Sequence, residues 1–110
     1  MYLMAYVSTA DANEARRIAK TLVEEGLAAC VNIIERLESV YRWEGEVQSA
    51  GEAAFFAKTT EDCFDALVKK IRELHSYELP CIVAMPLARG DAAFLGWIGE
   101  NVRSVRSEEA

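Results

Sequence analysis

AACVNIIERLESVYRWEGEVQSAGEAAFFAKT, residues 28–59, is rich in Val, Ile, Tyr and Trp and is broken once by a turn signal. β-Branched and aromatic residues suit a pleated, half-buried surface, so Ala28–Trp43 and Glu46–Thr59 read as two strands. Glu44-Gly45 between them forms a tight turn in which Gly supplies the positive φ. A break in the second arm is expected near Gly51, where a side chain is missing. At roughly 3.3 Å per residue each arm reaches roughly 45 Å. That is more than one small domain needs to cover its helices. A hairpin projecting past its own core leaves unpaired edges and apolar side chains such as Tyr41 and Trp43. Pairing with another copy covers both, so this stretch predicts an oligomer.

The flanking sequence supplies the rest of the fold. Residues 2–8, YLMAYVS, are a short apolar run ending in turn formers, a first strand. Asp11 is placed to cap a helix, with Glu14 completing a capping box. Ala15, Ile18, Ala19, Leu22 and Val23 then follow at the spacing of a core-facing stripe, and Gly26 ends the helix. Beyond the hairpin, a second helix from Thr59 or Thr60 carries Phe64, Leu67, Val68, Ile71 and Leu74 and stops near His75. Leu79–Leu87 is a fourth strand with Pro80 and Pro86 near its ends. Gly90-Asp91 opens a short helix bearing Phe94, Leu95, Trp97, Ile98 and Val102. Gly96 and Gly99 weaken it by roughly 1 kcal/mol each against Ala, so packing must hold it. The tail RSVRSEEA, residues 103–110, reads as frayed. The order β-α-β-β-α-β plus a closing helix is the split βαβ arrangement, an α+β, ferredoxin-like sandwich. Right-handed crossovers put both helices on one face of an antiparallel sheet. The other face is left bare, a second reason to expect self-association.

At 110 residues the chain reads as a single domain, residues 1–110. Its net charge of −6 argues against nucleic acid and anionic membranes as partners. The cysteines, Cys30, Cys63 and Cys81, form no CxxC pair. The N-terminus lacks the basic start of a signal peptide, and no apolar run is long enough to span a membrane. A reducing cytoplasm is the simplest location.

No Walker A, GxGxxG, HExxH or GxSxG motif is present, so no enzyme is expected. Cys63 precedes His75 by about 18 Å of helix, which disfavours a tetrahedral zinc site within one chain. Cys30 as nucleophile with His75 as base requires proximity, and Cys30 in an apolar strand reads as a small hydrophobe. Residues 73–81, ELHSYELPC, hold the only histidine. His75 is either a cap at the end of the second helix or a copper or zinc ligand. Tyr77 and Glu78 beside it add an aromatic ring and an acceptor. On the third strand Glu52 and Lys58 share a face by period two, with Ala54 and Phe56 between them. A lysine within FFAKTT needs a carboxylate partner or an anionic ligand. Trp43 and Trp97 read first as packing residues.

Taken together, LAACVNI (27–33), the Tyr41-Arg42-Trp43-Glu44-Gly45 turn and the Glu52…Lys58-Thr59 spacing resemble the CutA family of divalent-cation tolerance proteins. ELHSYELP and MPLARGDAAFLGWI are similar to the family's HPYxxP segment and closing run. The resemblance covers about residues 5–102. It implies a ferredoxin-like homotrimer with strands pairing between subunits, tolerance of copper or other divalent cations, and no established catalysis. It also implies His75 as a metal residue, joined here by Cys81 and Glu78. Cys30, Trp43, Glu52, Lys58 and Tyr77 fall at positions expected around an intersubunit cleft. That cleft also suits a regulatory module of the PII type, holding a small anionic ligand or a partner protein. The sequence departs from the pattern at Ser76 (usually proline), Cys81 (usually glutamate), Phe94 (usually tyrosine) and Ser8, where certain members carry a metal-binding cysteine.

Overall fold

The computed structural model describes residues 1–104, so the tail expected to fray lies outside the described residues from position 105 onward. Strand β1 spans Tyr2–Thr9, helix α1 Ala12–Glu24, and strands β2 and β3 Cys30–Trp43 and Glu46–Thr60. Helix α2 spans Phe64–Leu74, strand β4 Ile82–Pro86 and helix α3 Ala92–Asn101. The sheet order is β2-β3-β1-β4, and each neighbouring pair is antiparallel. The expected β-α-β-β-α-β order with a closing helix is therefore present. The longest principal extent of the molecule is 44 Å.

Alternation decides which face the helices cover. Leu3, Ala5, Val7 and Thr9 of β1 are buried, as are Ala53, Phe55, Ala57 and Thr59 of β3. Val7 stands opposite Phe55 and Ala5 opposite Ala57, so one continuous apolar surface forms. Ile18 and Leu22 of α1, Leu67 and Ile71 of α2 and Ile98 of α3 pack on it in a single cluster. Val23 is a correction to the expected stripe. It lies 43% exposed, because the last turn of α1 rotates it past the sheet. At the start of α1, Asp11 Oδ1 accepts from Glu14 N at 2.8 Å, the expected cap. Gly26 closes the helix at φ 70°, as its position predicts.

Several details differ from expectation; β2, for one, begins at Cys30 rather than Ala28. Helix α2 starts at Phe64 after a short 3₁₀ turn, Glu61–Cys63, rather than at Thr59 or Thr60. Those threonines belong to the sheet: Thr60 pairs with Tyr2, and the buried Thr59 hydroxyl donates to Leu27 O at 2.7 Å. Strand β4 is shorter than Leu79–Leu87, and Leu79 is left largely exposed. Strand β3 runs unbroken through Gly51; the irregularity lies across from it, in β2.

That irregularity is a bulge. Ile34 pairs with Ala54 and Leu37 with Glu52, so β2 uses three steps where β3 uses two. Successive strand residues point to opposite faces, so one extra residue exchanges the faces of everything beyond it. Before the bulge, Val31 and Ile33 pack toward the helices. After it, Ser39, Tyr41 and Trp43 turn to the uncovered face, opposite Ala50, Gln48 and Glu46. The hairpin closes at Glu44 and Gly45 with φ of 51° and 82°, so both central residues are left-handed, not Gly alone.

Candidate functional site

The uncovered face carries a cleft of about 810 Å³ where the far half of the hairpin meets the segment after α2. β1 contributes Tyr6 and Ser8, while β2 contributes Ser39, Tyr41 and Trp43 past its bulge. Gln48 and Glu52 come from β3. The remaining wall is the loop running from Ser76 through Tyr77, Glu78 and Leu79 to Cys81. Its shape depends on how that loop is fastened.

His75 does the fastening. It is 9% exposed, and its Nε2 lies 2.8 Å from Ser8 O on β1. Its Nδ1 accepts from Tyr77 N at 3.0 Å, which places the ring proton on Nε2 to donate to Ser8. The Tyr77 ring packs on the imidazole with centroids 4.8 Å apart. Glu14, 5% exposed, holds the same loop from the other side. Its Oε2 accepts from Ser76 N at 2.8 Å and its Oε1 from Ala10 N at 3.0 Å. A capping box would return Glu14 to the cap residue's own N–H; here it reaches one residue further back and bridges to Ser76. Burial pushes this carboxyl up, but the Ala10 and Ser76 donors, with the nearby His75, outweigh it. The net result is below the ordinary carboxylate value.

The cleft itself is negative. Tyr77 Oη donates to Glu52 Oε2 at 2.7 Å. Burial first, then that bond and the charge of Glu52, hold the Tyr77 phenol far above its ordinary value. Tyr6, tilted against Phe56 at 5.3 Å, is likewise raised, by burial first and then by Cys81 and Glu52. Among the described residues, the lining carries the carboxylates of Glu52 and Glu78 and no Lys or Arg.

Of the residues singled out in the sequence, Trp43, Glu52, Tyr77, Glu78 and Cys81 come together in this cleft. His75 stands behind the wall rather than in it. Cys30 and Lys58 lie elsewhere: they pair with each other, and Lys58 pairs with Met4. Met4 is four residues from Ser8, roughly 13 Å along β1. The Lys58 ammonium donates to Asn32 Oδ1, an amide in the same chain rather than a carboxylate. Trp43 is half exposed in the cleft wall, whereas Trp97 stacks on Phe94 at 5.5 Å, away from it. Sequence reading missed Glu14, Tyr6, Ser39 and Gln48. The capping-box spacing marked Glu14, but nothing local showed that its second oxygen would reach Ser76.

A metal is tested by the donors. Both imidazole nitrogens of His75 are committed to backbone groups, and ligation would release one of them. Among the described residues, no three His, Cys, Asp or Glu side chains are grouped to hold a metal ion. The donor set of one chain does not fit a closed metal centre.

Residues 3–101 match the family model described as CutA1 divalent ion tolerance protein. The chain belongs to the CutA family. It is 51% identical over 87 residues to the divalent-cation tolerance protein CutA of Thermus thermophilus, 79% of this chain and 84% of that one. To the Archaeoglobus fulgidus CutA it is 42% identical over 102 residues, 93% of this chain and 99% of that one. The solved Thermus Cut A1 structure superposes with a TM-score of 0.92 at 44% identity, covering 94% of this chain and all of that one. The Archaeoglobus structure, described as a periplasmic CutA, gives 0.90 at 42% identity, again over 94% of this chain and all of its own. CutA proteins are thus named for tolerance of divalent ions, not for a reaction. Among the described residues, no helix is long and apolar enough to cross a membrane.

Proposed function

We propose that this CutA-family protein works without catalysis, as a homotrimer in a reducing cytoplasm, and meets divalent cations at the acidic cleft rather than at His75. The single observation that carries this reading is the lining: Glu52, Glu78 and the Cys81 thiol stand in the cleft, and among the described residues no Lys or Arg lines it. Such a surface attracts cations and repels anions. Self-association is supported by the far hairpin, where Val40 is 67% and Val47 65% exposed on strands that project beyond the helices. The uncovered sheet face adds Val83 and Met85 to the apolar surface seeking a cover. The number three rests on the resemblance to CutA. The free thiols of Cys30 and Cys81 suit a reducing compartment. A copper or zinc ion would take Cys81 and Glu78 from one chain and its remaining ligands from a neighbouring copy. The PII-type reading with an anionic ligand loses its cation, because Lys58 is outside the cleft and bonded to Asn32.

Calorimetric titration of copper and zinc into the purified protein tests the assignment. Cys81→Ser and Glu78→Gln are expected to weaken binding by tenfold or more. His75→Gln is expected to leave it within a few-fold. Loss of binding in His75→Gln alone would move the metal back to the histidine and overturn the cleft assignment.

A further inference from the structure

Helix α3 is apolar on two sides, and its own chain uses only one of them. Leu95, Ile98 and Val102 turn inward and join the core cluster, Ile98 fully buried. Ala93, Gly96 and Trp97 follow at i, i+3 and i+4, which sets them together on the outer side. Phe94 stacks on Trp97 there, and in the single chain the two rings are 44% and 40% exposed. A helix that is apolar all round belongs in an interior. Gly96 adds a second observation. A glycine weakens a helix, and where one is kept a close neighbour usually explains it. Gly99 has such a neighbour, since a side chain there would meet Tyr2 Oη at 3.1 Å. A side chain at Gly96 would meet nothing of this chain within 4 Å. The close approach that Gly96 permits is therefore left for an element of another chain.

The same side of the sheet has one other unfinished apolar surface. Past the bulge, the face of the hairpin opposite to Tyr41 and Trp43 carries Val40 and Val47, with Arg42 directly across from Val47. Helix α3 cannot cover them in its own chain. It lies beside Tyr2, which pairs with Thr60, and Val47 stands thirteen residues before Thr60 on β3, roughly 40 Å away. We infer that the outer side of α3 receives the Val40–Val47 face of the hairpin of a second copy, head to tail. The surfaces match in kind: branched apolar side chains meet Gly96 and Trp97, and Arg42 meets a helix whose only charge from Ala92 to Asn101 is Glu100. The free sheet edges give the route, because β2 and β4 are the outer strands and α3 follows β4 after residues 87–91. A far hairpin laid along the β4 edge of another copy continues that copy's sheet, so its valines enter the helix layer on which α3 lies. Each chain then gives a hairpin to one neighbour and takes one from another, a contact that closes into a ring. The inference rests on the reading of the protein as an oligomer and adds the two surfaces that join the copies.

The test places the photo-crosslinker p-benzoylphenylalanine at position 97 of the full-length protein, in an assembly co-refolded from isotope-labelled and unlabelled chains. Peptide mapping after irradiation is expected to find mixed-label adducts within residues 37–49. Adducts confined to other segments, adducts within one chain only, or no adduct at all overturn the proposal. Gly96→Ala gives a second reading that needs no probe. Alanine is the better helix former, so the single chain should be no less stable. The added methyl group crowds the contact, so assembly should weaken by about tenfold in sedimentation at serial dilution. An assembly constant unchanged within about twofold overturns the close approach at Gly96. Native mass spectrometry of the same samples separates this proposal from the reading beneath it. A three-chain mass with adducts elsewhere removes this contact and keeps the trimer, whereas a single-chain mass removes both.

Discussion

The two halves of the β2–β3 hairpin live in different surroundings. In the near half, Phe55 and Ala57 are fully buried, with Val31 and Ile33 packed alongside under the helices. In the far half, Val40, Val47, Tyr41 and Trp43 are all substantially exposed. One side of the hairpin is finished by its own chain. The other is not, and the bulge at Ile34–Leu37 marks the crossover between them. Apolar residues are therefore core in one place and a surface awaiting a partner or ligand in the other. What separates them is that the helices pack on the near half, whose strands are also the more apolar.

The largest effect that can break this contrast lies in the near half. Phe55→Ala opens a cavity in a fully buried site and should cost about 3–5 kcal/mol in urea unfolding. A cost near that of an exposed residue would mean that the near half is not the self-sufficient part.

The loop that borders the far half is held by polar bonds instead. His75→Ala leaves Ser8 O and Tyr77 N without their partner and should destabilise by about 1–3 kcal/mol. Hydrogen exchange at Tyr77 should rise with it; unchanged protection would remove His75 as the fastener.

Glu14 makes the same junction pH-dependent. Its folded carboxyl is lowered from 4.5, so the ionised form contributes stability above the ordinary carboxylate range. That contribution is lost as pH falls through the lowered value. Glu14→Gln should therefore cost on the order of 1 kcal/mol near neutral pH, with a gap from wild type that closes in acid. A gap that stays constant from neutral pH to acid would contradict the assignment.

Smaller still is the turn. Glu44 occupies a left-handed conformation that Asn tolerates better, so Glu44→Asn should stabilise by up to about 1 kcal/mol. Thermal unfolding reads this directly, and a loss of stability would show that the Glu44 side chain contributes something of its own. Last, Val40→Lys should alter chain stability by only about 0.5 kcal/mol. Its effect should appear in assembly, as a shift toward smaller species in sedimentation velocity.

Much of the fold was legible because it rests on short-range rules. The Asp11 cap, the Gly26 stop, the Glu44-Gly45 turn and the order of elements all follow from neighbours a few residues apart. The site was legible only in part. Trp43, Glu52, Tyr77, Glu78 and Cys81 were marked by residue type, and they do share the cleft. Lys58 and Cys30 were marked in the same way but lie in the near half of the hairpin, outside the cleft. The difference is position along the strands: Lys58 shares its face with Glu52 but stands six residues from it, roughly 20 Å, while the bulge decides that Tyr41 and Trp43 share that face. The adjacent Ile33-Ile34 pair and the gap to Leu37 hint at a lost alternation, while Gly51 drew attention to the wrong strand. His75 shows the other limit. Its type suggested a ligand or a cap for its own helix; its backbone N–H does cap α2 by donating to Ile71 O, while its ring reaches Ser8, sixty-seven residues away, and Tyr77. Long-range backbone partners leave no local trace.

The claim underneath all of this is that the far hairpin and the uncovered sheet face are completed by further copies of the chain. Native mass spectrometry of the unmodified protein tests it most directly. A dominant species of three chains is the predicted result. A single-chain mass persisting across concentrations would contradict it, and would leave the far half of the hairpin as a surface for a different partner.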